Sequence, residues 1–332
     1  MLGHFLEKEG QNCYYIDAPE QISCTSIAAG LINPITGRKF VKSWLIDELL
    51  PFAKATYQSF EEQFGEQLFF EPKLIRSLFN AGDENTWLAR AADPEYVPYM
   101  ATEADVGNLK SISHPVYAYA EVKYAAQVNV GQLCDLLRQK HRNEGRLLET
   151  IFDFEQLKIM QNQVKYGEVT ADSIIFCEGW RMRYNPYFNH LPYQGTKGNV
   201  LHLRLPETKI DRIFKHRLFI IPFKDDIYWV GGNSRIHFTD EEPLDEDLVY
   251  ITDRLDEMLT TPYEIVSHQS AIRPTVKDRR PFIGCHSEYP HLAIFNGMGT
   301  KGTSLAPYWA HHFVQHLVNG AALDKGVDIQ RC

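Results

Sequence analysis

Several features that mark whole classes of protein are missing from this sequence. No apolar run approaches the roughly 18 residues that a transmembrane helix needs. The N-terminus carries Glu7, Lys8 and Glu9, which do not suit the apolar segment of a signal peptide. Positive charge is also scarce, and the formal net charge of −9 argues against a general binder of nucleic acids or membrane surfaces. We therefore expect a cytoplasmic protein that acts on a small molecule, without a membrane segment or a nucleic-acid partner.

Closely spaced cysteine pairs are missing as well. The six cysteines form no Cys-x-x-Cys motif and are scattered along the chain: Cys13, Cys24, Cys134, Cys177, Cys285 and Cys332. This spacing predicts free thiols in a reducing compartment, and neither a disulfide framework nor a zinc site. The 332 residues are 44% hydrophobic and 23% charged, which is typical of a globular protein. That length allows one large or two medium domains, each with a full core.

A glycine-rich segment near the C-terminus is the strongest positive signal. Residues 292–295 are apolar and predict a buried strand, and residues 304–317 predict a helix. Between them lies Asn-Gly-Met-Gly-Thr-Lys-Gly (296–302), where three glycines let the backbone approach a flat ligand. A strand, a glycine turn and a helix N-terminus together suit an anionic or electron-rich ligand. A tight connection with no ligand explains the glycines equally well.

An arginine motif upstream favours the ligand site. Ile272-Arg273-Pro274 places a guanidinium beside a rigid proline, and arginine is the side chain best suited to grip a planar carboxylate. The order Ile-Arg-Pro, Pro-Phe-Ile-Gly, Asn-Gly-Met-Gly-Thr-Lys-Gly and Leu-Ala-Pro resembles the D-amino-acid oxidase superfamily of flavoproteins, most closely its glycine oxidase and sarcosine oxidase branch.

The resemblance implies roles for these residues. Arg273 would bind the substrate carboxylate, with Lys301 adding positive charge at the flavin. The segment that would lie against the pyrimidine end of FAD consists of Gly297, Met298, Gly299, Thr300, Lys301 and Gly302. His268 would be a pocket residue, although a structural histidine is the more common alternative.

Two further segments resemble cofactor-binding parts of the same family. Residues 23–40 are rich in small side chains and would pass along the flavin through Ser26, Ala28, Ala29, Gly30 and Leu31. Residues 174–176 predict a buried parallel strand that Gly179 terminates, and ligands of open α/β sheets bind at such strand ends. The sequence departs from the family at Glu178, where a small residue is expected.

The N-terminus predicts an incomplete dinucleotide fold. Residues 1–9 predict a helix, residues 12–16 a strand, and Asp17 a hydrogen bond to a ribose hydroxyl. The first strand and the Gly-x-Gly-x-x-Gly loop expected before this helix are absent, which a misassigned start, a trimmed chain or a real truncation would each explain. Taken alone, Asp17 is better explained as a turn residue before Pro19.

The predicted fold class is α/β (α+β overall). It combines a discontinuous, N-terminally incomplete, Rossmann-like FAD-binding domain (1–45, 125–185 and 268–332) with a mostly antiparallel substrate domain (46–124 and 186–267). Patterning predicts helices at 43–64, 130–143 and 244–260, a hairpin of strands 115–120 and 122–126, and two antiparallel strands around Asp225-Asp226. The third helix is acidic and amphipathic, and it is expected to present a solvated outer face and not a site.

The resemblance implies an FAD-dependent oxidoreductase that oxidises a C–N bond of an amino acid or secondary amine, with hydride transfer to flavin N5. Phe219 stands where the family has a tyrosine that helps to hold the substrate carboxylate, and phenylalanine cannot donate a hydrogen bond. A larger substrate would tolerate this change. One alternative is therefore the oxidative domain of a tRNA wobble-uridine modification enzyme, for which Arg181, Arg183 and Lys197 would provide a basic patch. The other is a flavin-free remnant of the fold. The substrate, the electron acceptor (oxygen or a quinone) and the oligomeric state stay open.

Overall fold

The computed structural model describes residues 1–332, which divide into two compact units. Unit 1 consists of Met1–Ser26, Gly131–Thr196 and Ile272–Cys332, and unit 2 of Ile27–Val130 and Lys197–Ala271. Residues 27–45, which the sequence interpretation placed in the cofactor domain, fall in unit 2. The α-helices are α1 (Leu2–Lys8), α2 (Ile46–Phe64), α3 (Ala81–Ala91), α4 (Leu109–Ile112), α5 (Val130–Asn143), α6 (Asp245–Asp256) and α7 (Gly302–Asn319). No helix is both long enough and apolar enough to cross a membrane.

Twenty strands complete the regular structure, together with short 3-10 helices at Phe154–Gln156, Gly179–Tyr184 and Ile329–Arg331. The strands are β1 (Tyr15–Asp17), β2 (Leu31–Ile32), β3 (Ile35–Thr36), β4 (Val41–Lys42), β5 (Phe69–Phe70), β6 (Leu74–Leu78), β7 (Ala118–Val122), β8 (Ala126–Val128), β9 (Leu147–Glu149), β10 (Leu157–Ile159), β11 (Val164–Tyr166), β12 (Val169–Ala171), β13 (Ile174–Phe176), β14 (Thr196–Arg204), β15 (Ile213–Lys215), β16 (Phe219–Pro222), β17 (Ile227–Gly231), β18 (Glu264–Arg273), β19 (Phe282–Cys285) and β20 (Leu292–Asn296).

Unit 1 contains short parallel pairings. Strand β1 pairs in parallel with β9, and β13 pairs in parallel with β20, which is flanked by antiparallel β19. A separate antiparallel meander is formed by β10, β11 and β12. Helix α7 covers β20, because the rings of Phe313 and Phe295 stack with their centroids 6.3 Å apart. Parallel pairs combined with covering helices are typical of an α/β layer.

Unit 2 contains one large sheet in the order β18-β14-β17-β16-β15-β6-β7. Its β14–β17, β17–β16, β16–β15 and β6–β7 pairings are antiparallel, whereas β15 and β6 run parallel. One face packs on α6 through the buried side chains of Ile251 and Leu255. The first turn of α6 holds Asp245, Glu246 and Asp247, which suits the positive end of the helix dipole. Helix α6 lies within the amphipathic helix predicted at 244–260, and its apolar side packs on the sheet.

Several sequence expectations are confirmed. Helix α5 spans the predicted residues 130–143, and α2 lies within 43–64. Strands β16 and β17 are antiparallel around Asp225 and Asp226, both of which adopt a φ of 59°.

The predicted hairpin of strands 115–120 and 122–126 was wrong. Strand β7 pairs with β6 and strand β8 pairs with β2 and β5, so their hydrogen bonds go to distant parts of the chain.

Candidate cofactor and substrate site

The glycine turn that follows β20 is held by hydrogen bonds within unit 1. Asn296 Nδ2 donates to the carbonyl of Gly179 at 2.8 Å, and Asn296 Oδ1 accepts from the Gly297 amide at 2.8 Å. The Gly299 amide donates to the carbonyl of Pro274 at 3.0 Å. These bonds bring together three segments that the sequence singled out separately: the end of β13, the residue after Arg273, and the turn itself.

Glycine is required at position 297 for two reasons. Its φ of +77° lies in the left-handed region, and a Cβ there would stand 2.8 Å from Val276 Cγ2 and 3.0 Å from the Phe282 amide nitrogen. Gly299 has a φ of +57°, yet a Cβ there would meet no atom closer than 3.6 Å. The turn is therefore tightly packed at Gly297, while the backbone at Gly299 can be approached closely.

Helix α7 begins immediately after this turn. Lys301 is its N-cap residue, and no side chain accepts a hydrogen bond from the first turn at that cap. Amides at the start of an 18-residue helix give a partial positive charge, and the half-buried Lys301 stands at the same end. Burial lowers the pKa of Lys301, and the charges of Arg279 and Arg280 lower it further. This concentration of positive charge beside an accessible glycine backbone fits the electron-rich edge of a flavin.

Arg273 lies at the end of β18 in the same unit. Burial lowers its pKa, and the neighbouring Cys24 opposes that shift. The hydroxyl of Tyr193 lies 3.5 Å from the Arg273 carbonyl oxygen, and burial, followed by the Cys24 charge, raises the pKa of that phenol. Thr196 and Thr275 share a hydroxyl hydrogen bond of 2.5 Å that holds the two segments together. Arg273 is thus a half-buried cation with the Cys24 thiol close enough to act on it electrostatically.

Neither Tyr193 nor Cys24 could be recognised from the sequence as a neighbour of Arg273. Neither belongs to a motif of fixed spacing, and each is adjacent to Arg273 only after β18 and the segment around Tyr193 have packed together. The isolated bridge between Tyr193 and Val276 is the contact that could not be read from local patterning.

Glu178, the unexpected acid at the end of β13, is half-buried. Burial raises its pKa from 4.5 to about 7, and a hydrogen bond of 2.7 Å that Asn185 Nδ2 donates to Glu178 Oε2 opposes the rise. The next residue, Gly179, has a φ of +61° and nothing within 4 Å of its Cβ position. The strand end is therefore open at Gly179 and carries a carboxyl group that titrates near neutral pH.

The two N-terminal candidates both have local partners. Asp17 ends β1, and its Oδ2 accepts a hydrogen bond of 2.6 Å from Nε of Arg138 on α5. Ser26 closes a short turn with Ser23, because Ser26 Oγ donates to the Ser23 carbonyl at 2.8 Å. Binding of a ribose by Asp17 and of the cofactor by Ser26 stay predictions.

The alanine-rich segment belongs to unit 2. Ala28 is half-buried, Ala29 is buried, and Leu31 pairs with Gln127 in the β2–β8 ladder. A Cβ on Gly30 would stand only 1.7 Å from the Val128 carbonyl oxygen. The close approach of β8 therefore explains this glycine without any ligand.

The remaining two substrate candidates also lie in unit 2. Phe219 begins β16, and the Lys215 Nζ lies 4.4 Å from the centre of its ring. His268 Nε2 is 3.0 Å from Asn199 Oδ1, and Asn199 Nδ2 donates to Asp247 at 2.8 Å. Burial lowers the pKa of His268, while Asp247 and Asp245 raise it. This network is what the alternative interpretation of His268 as a structural histidine predicts.

Comparisons with known proteins agree with the geometry. A family model described as FAD dependent oxidoreductase (DAO) matches residues 2–316. A curated relative, the bifunctional protein ThiO/ThiG of Nostoc sp., is 27% identical over 239 residues, which cover 68% of this chain and 34% of that protein. The chain thus spans about a third of the length of this relative.

Solved structures share the fold at low sequence identity. Glycine oxidase from Geobacillus kaustophilus superposes with a TM-score of 0.79 at 17% identity, covering 97% of this chain and 92% of that one. Iminodiacetate oxidase from Chelativorans sp. BNC1 gives 0.76 at 16% identity, covering 98% and 95%. L-proline dehydrogenase from P. horikoshii gives 0.71 at 14% identity, covering 99% and 93%. Because the family model matches nearly the whole chain, the protein belongs to the DAO family of FAD-dependent oxidoreductases.

Proposed function

We propose that this FAD-dependent oxidoreductase oxidises the C–N bond of a small amino acid or secondary amine that carries a carboxylate. The observation that carries the proposal is the hydrogen bond from the Gly299 amide to the Pro274 carbonyl at 3.0 Å. It fixes the backbone next to Arg273 against the glycine turn, so a carboxylate anchor and a flavin-edge segment are built into one unit.

Arg273 is the proposed anchor for the substrate carboxylate. A guanidinium offers two parallel N–H groups to a planar carboxylate, and the pairing is strongest where water is excluded. The half-buried Tyr193 carries a hydroxyl that donates to the Arg273 carbonyl oxygen at 3.5 Å, and by turning toward a bound substrate it would donate the hydrogen bond that Phe219 lacks. The chain would then hold a small carboxylate with a tyrosine from a different segment.

The turn from Gly297 to Gly302, with Lys301, is the proposed contact with the pyrimidine edge of FAD. When bound, FAD supplies the hydride acceptor at flavin N5. The amides of this turn and the start of α7 would stabilise negative charge at that edge. If the amine binds in its neutral form, no side chain has to act as a base. Asp17, Ser26, Gly179 and the segment Ala28–Leu31 are the further proposed cofactor contacts.

The basic patch required for a tRNA substrate is not supported. Lys197 is 1% exposed and its Nζ lies 3.2 Å from Asp240 Oδ1, so it cannot contribute to a surface that binds phosphates. Arg181 and Arg183 remain near each other, but both pack on the Trp180 ring, with guanidinium-to-centroid distances of 5.5 and 5.8 Å. We therefore retain the small-molecule substrate.

The test uses purified protein loaded with FAD. Bound flavin absorbs at about 450 nm, and an amino-acid substrate should bleach that band under anaerobic conditions. We expect Arg273→Ala to abolish bleaching at low substrate concentration, while Arg204→Met, which removes an exposed arginine from β14, should behave like the wild type. A protein that binds no flavin after reconstitution would support the flavin-free alternative. A flavoprotein bleached equally well by substrates with and without a carboxylate would contradict the anchor.

A further inference from the structure

Three side chains form a row across the large sheet of unit 2. In the ladders of β6, β15 and β16, Arg76 is opposite Lys215, and Lys215 is opposite Phe219. The side chains of residues directly opposite each other on neighbouring strands lie on the same face of the sheet. The residues that alternate with them, including Ile75 and Phe214, belong to the hydrophobic core on the other face. The row therefore lies on the face opposite α6.

Arg76 is a buried cation with few partners. Its side chain is 9% exposed, and Nη2 donates to the Gly37 carbonyl at 3.2 Å. The guanidinium lies 4.3 Å from the centre of the Phe40 ring, while its buried Nε has no hydrogen-bond acceptor in the chain. Asp83 is the acid that acts on it electrostatically, but Asp83 Oδ2 accepts a hydrogen bond from the Phe79 amide. No carboxylate forms an ion pair with Arg76.

Lys215 places a second positive charge beside the first. Its Nζ donates to the Arg217 carbonyl at 2.7 Å and lies 4.4 Å from the centre of the Phe219 ring. Burial, followed by the charge of Arg76, lowers the pKa of Lys215 to about 8. Like charges directly opposite on neighbouring strands are destabilising, and a buried charge without a counter-ion is costly. An anion between the two cations would relieve both penalties.

We propose that Arg76 and Lys215 bind the carboxylate of a small organic anion on this face of unit 2. The free Nε of Arg76 provides one edge of a guanidinium fork, and the Lys215 ammonium provides the second cationic contact. The half-buried Phe219 ring provides apolar surface for the carbon chain that carries the carboxylate. The site adds two cations beside Phe219, which is itself a substrate candidate, and its test does not require the flavin reaction.

The test measures the reactivity of the Lys215 amine, with glutarate as the probe. The protein is labelled by reductive methylation at pH 8, with and without glutarate, and the extent at each lysine is read by mass spectrometry. An opposite charge that raises the pKa of Lys215 by one unit lowers its neutral fraction at pH 8 from about a half to about a tenth, so labelling slows about fivefold. The exposed Lys224 is the internal control and should not change. Neutral glutaramide, which has the same length, should give no protection.

Three variants separate binding from folding. Arg76→Met should lose the glutarate protection of Lys215, and Arg217→Met, which removes an exposed neighbouring arginine, should keep it. Isothermal titration of glutarate into Lys215→Met gives a readout that does not need the reactive amine, and its affinity should fall at least about tenfold. Circular dichroism verifies that each variant is folded. The proposal is overturned if glutarate leaves Lys215 unprotected in the wild type, if Arg76→Met is protected equally, or if only inorganic phosphate protects.

Discussion

The tight packing around Gly297 leads to a prediction whose size follows from the geometry. Replacing Gly297 by alanine forces a residue with a Cβ into a φ of +77°, which costs about 1–2 kcal/mol for an L-residue. The new Cβ also meets Val276 Cγ2 at 2.8 Å and the Phe282 amide nitrogen at 3.0 Å. Such overpacking typically costs about 1–3 kcal/mol more. We expect the free energy of unfolding to fall by about 2–5 kcal/mol in total.

Gly10 provides a matched control within the same unit. Its φ of +75° is nearly that of Gly297, but nothing lies within 4 Å of its Cβ position. Gly10→Ala should therefore incur only the backbone cost of about 1–2 kcal/mol. The assay is urea unfolding followed by tryptophan fluorescence and by circular dichroism. The free energies of unfolding are compared between variants whose dependence on urea concentration, the m-value, is the same. Equal destabilisation by the two substitutions would refute the reasoning, because it would leave no cost for the contacts around Gly297.

The remaining predictions concern pH, binding and a buried hydrogen bond. The pKa of Glu178 is raised in the folded state to about 7, so the folded protein binds the extra proton and stability should fall as pH rises from 4.5 to 7. The loss should be about 2–3 kcal/mol by urea unfolding at pH 4.5 and pH 7.5, and Glu178→Gln should remove this difference. Arg273→Ala should raise KM by about 100-fold or more with a smaller change in kcat, since the anchor acts in both ground and transition states; steady-state kinetics with an unchanged KM would reject that role. Trp229 Nε1 donates to the Ile27 carbonyl at 2.8 Å, so Trp229→Phe should lower the free energy of unfolding by about 1–3 kcal/mol, and no loss in urea titration would argue against that bond.

Local patterning predicted the elements that depend mainly on their own residues. The last turn of helix α5 holds Lys140 and Arg142, whose positive charges stabilise the negative end of its dipole, and the bounds of the helix match the prediction. The turn at Asp225 and Asp226 was also recognised, because acidic residues tolerate the left-handed conformation there. The glycine turn was found because its spacing is local.

Features that depend on distant pairing were not predictable. The strands at 118–122 and 126–128 are close in sequence, but each finds its partner elsewhere, since burial of the sheet faces outweighs proximity along the chain. Lys197 looked like a surface charge, yet the β14 backbone carries it into the interior beside Asp240. Arg76 and Lys215 lie opposite each other because of the register between two strands from different parts of unit 2. No single sequence motif encodes that register.

The interleaving of the two units in the chain has a consequence for synthesis on the ribosome. Strand β6 cannot pair with β15, nor β13 with β20, until a long intervening segment has been translated. The nascent protein must therefore carry unpaired strand edges through much of its elongation, and such edges invite aggregation. Truncated fragments that end before β20 leave β13 without its parallel partner and should consequently depend on chaperones to stay soluble.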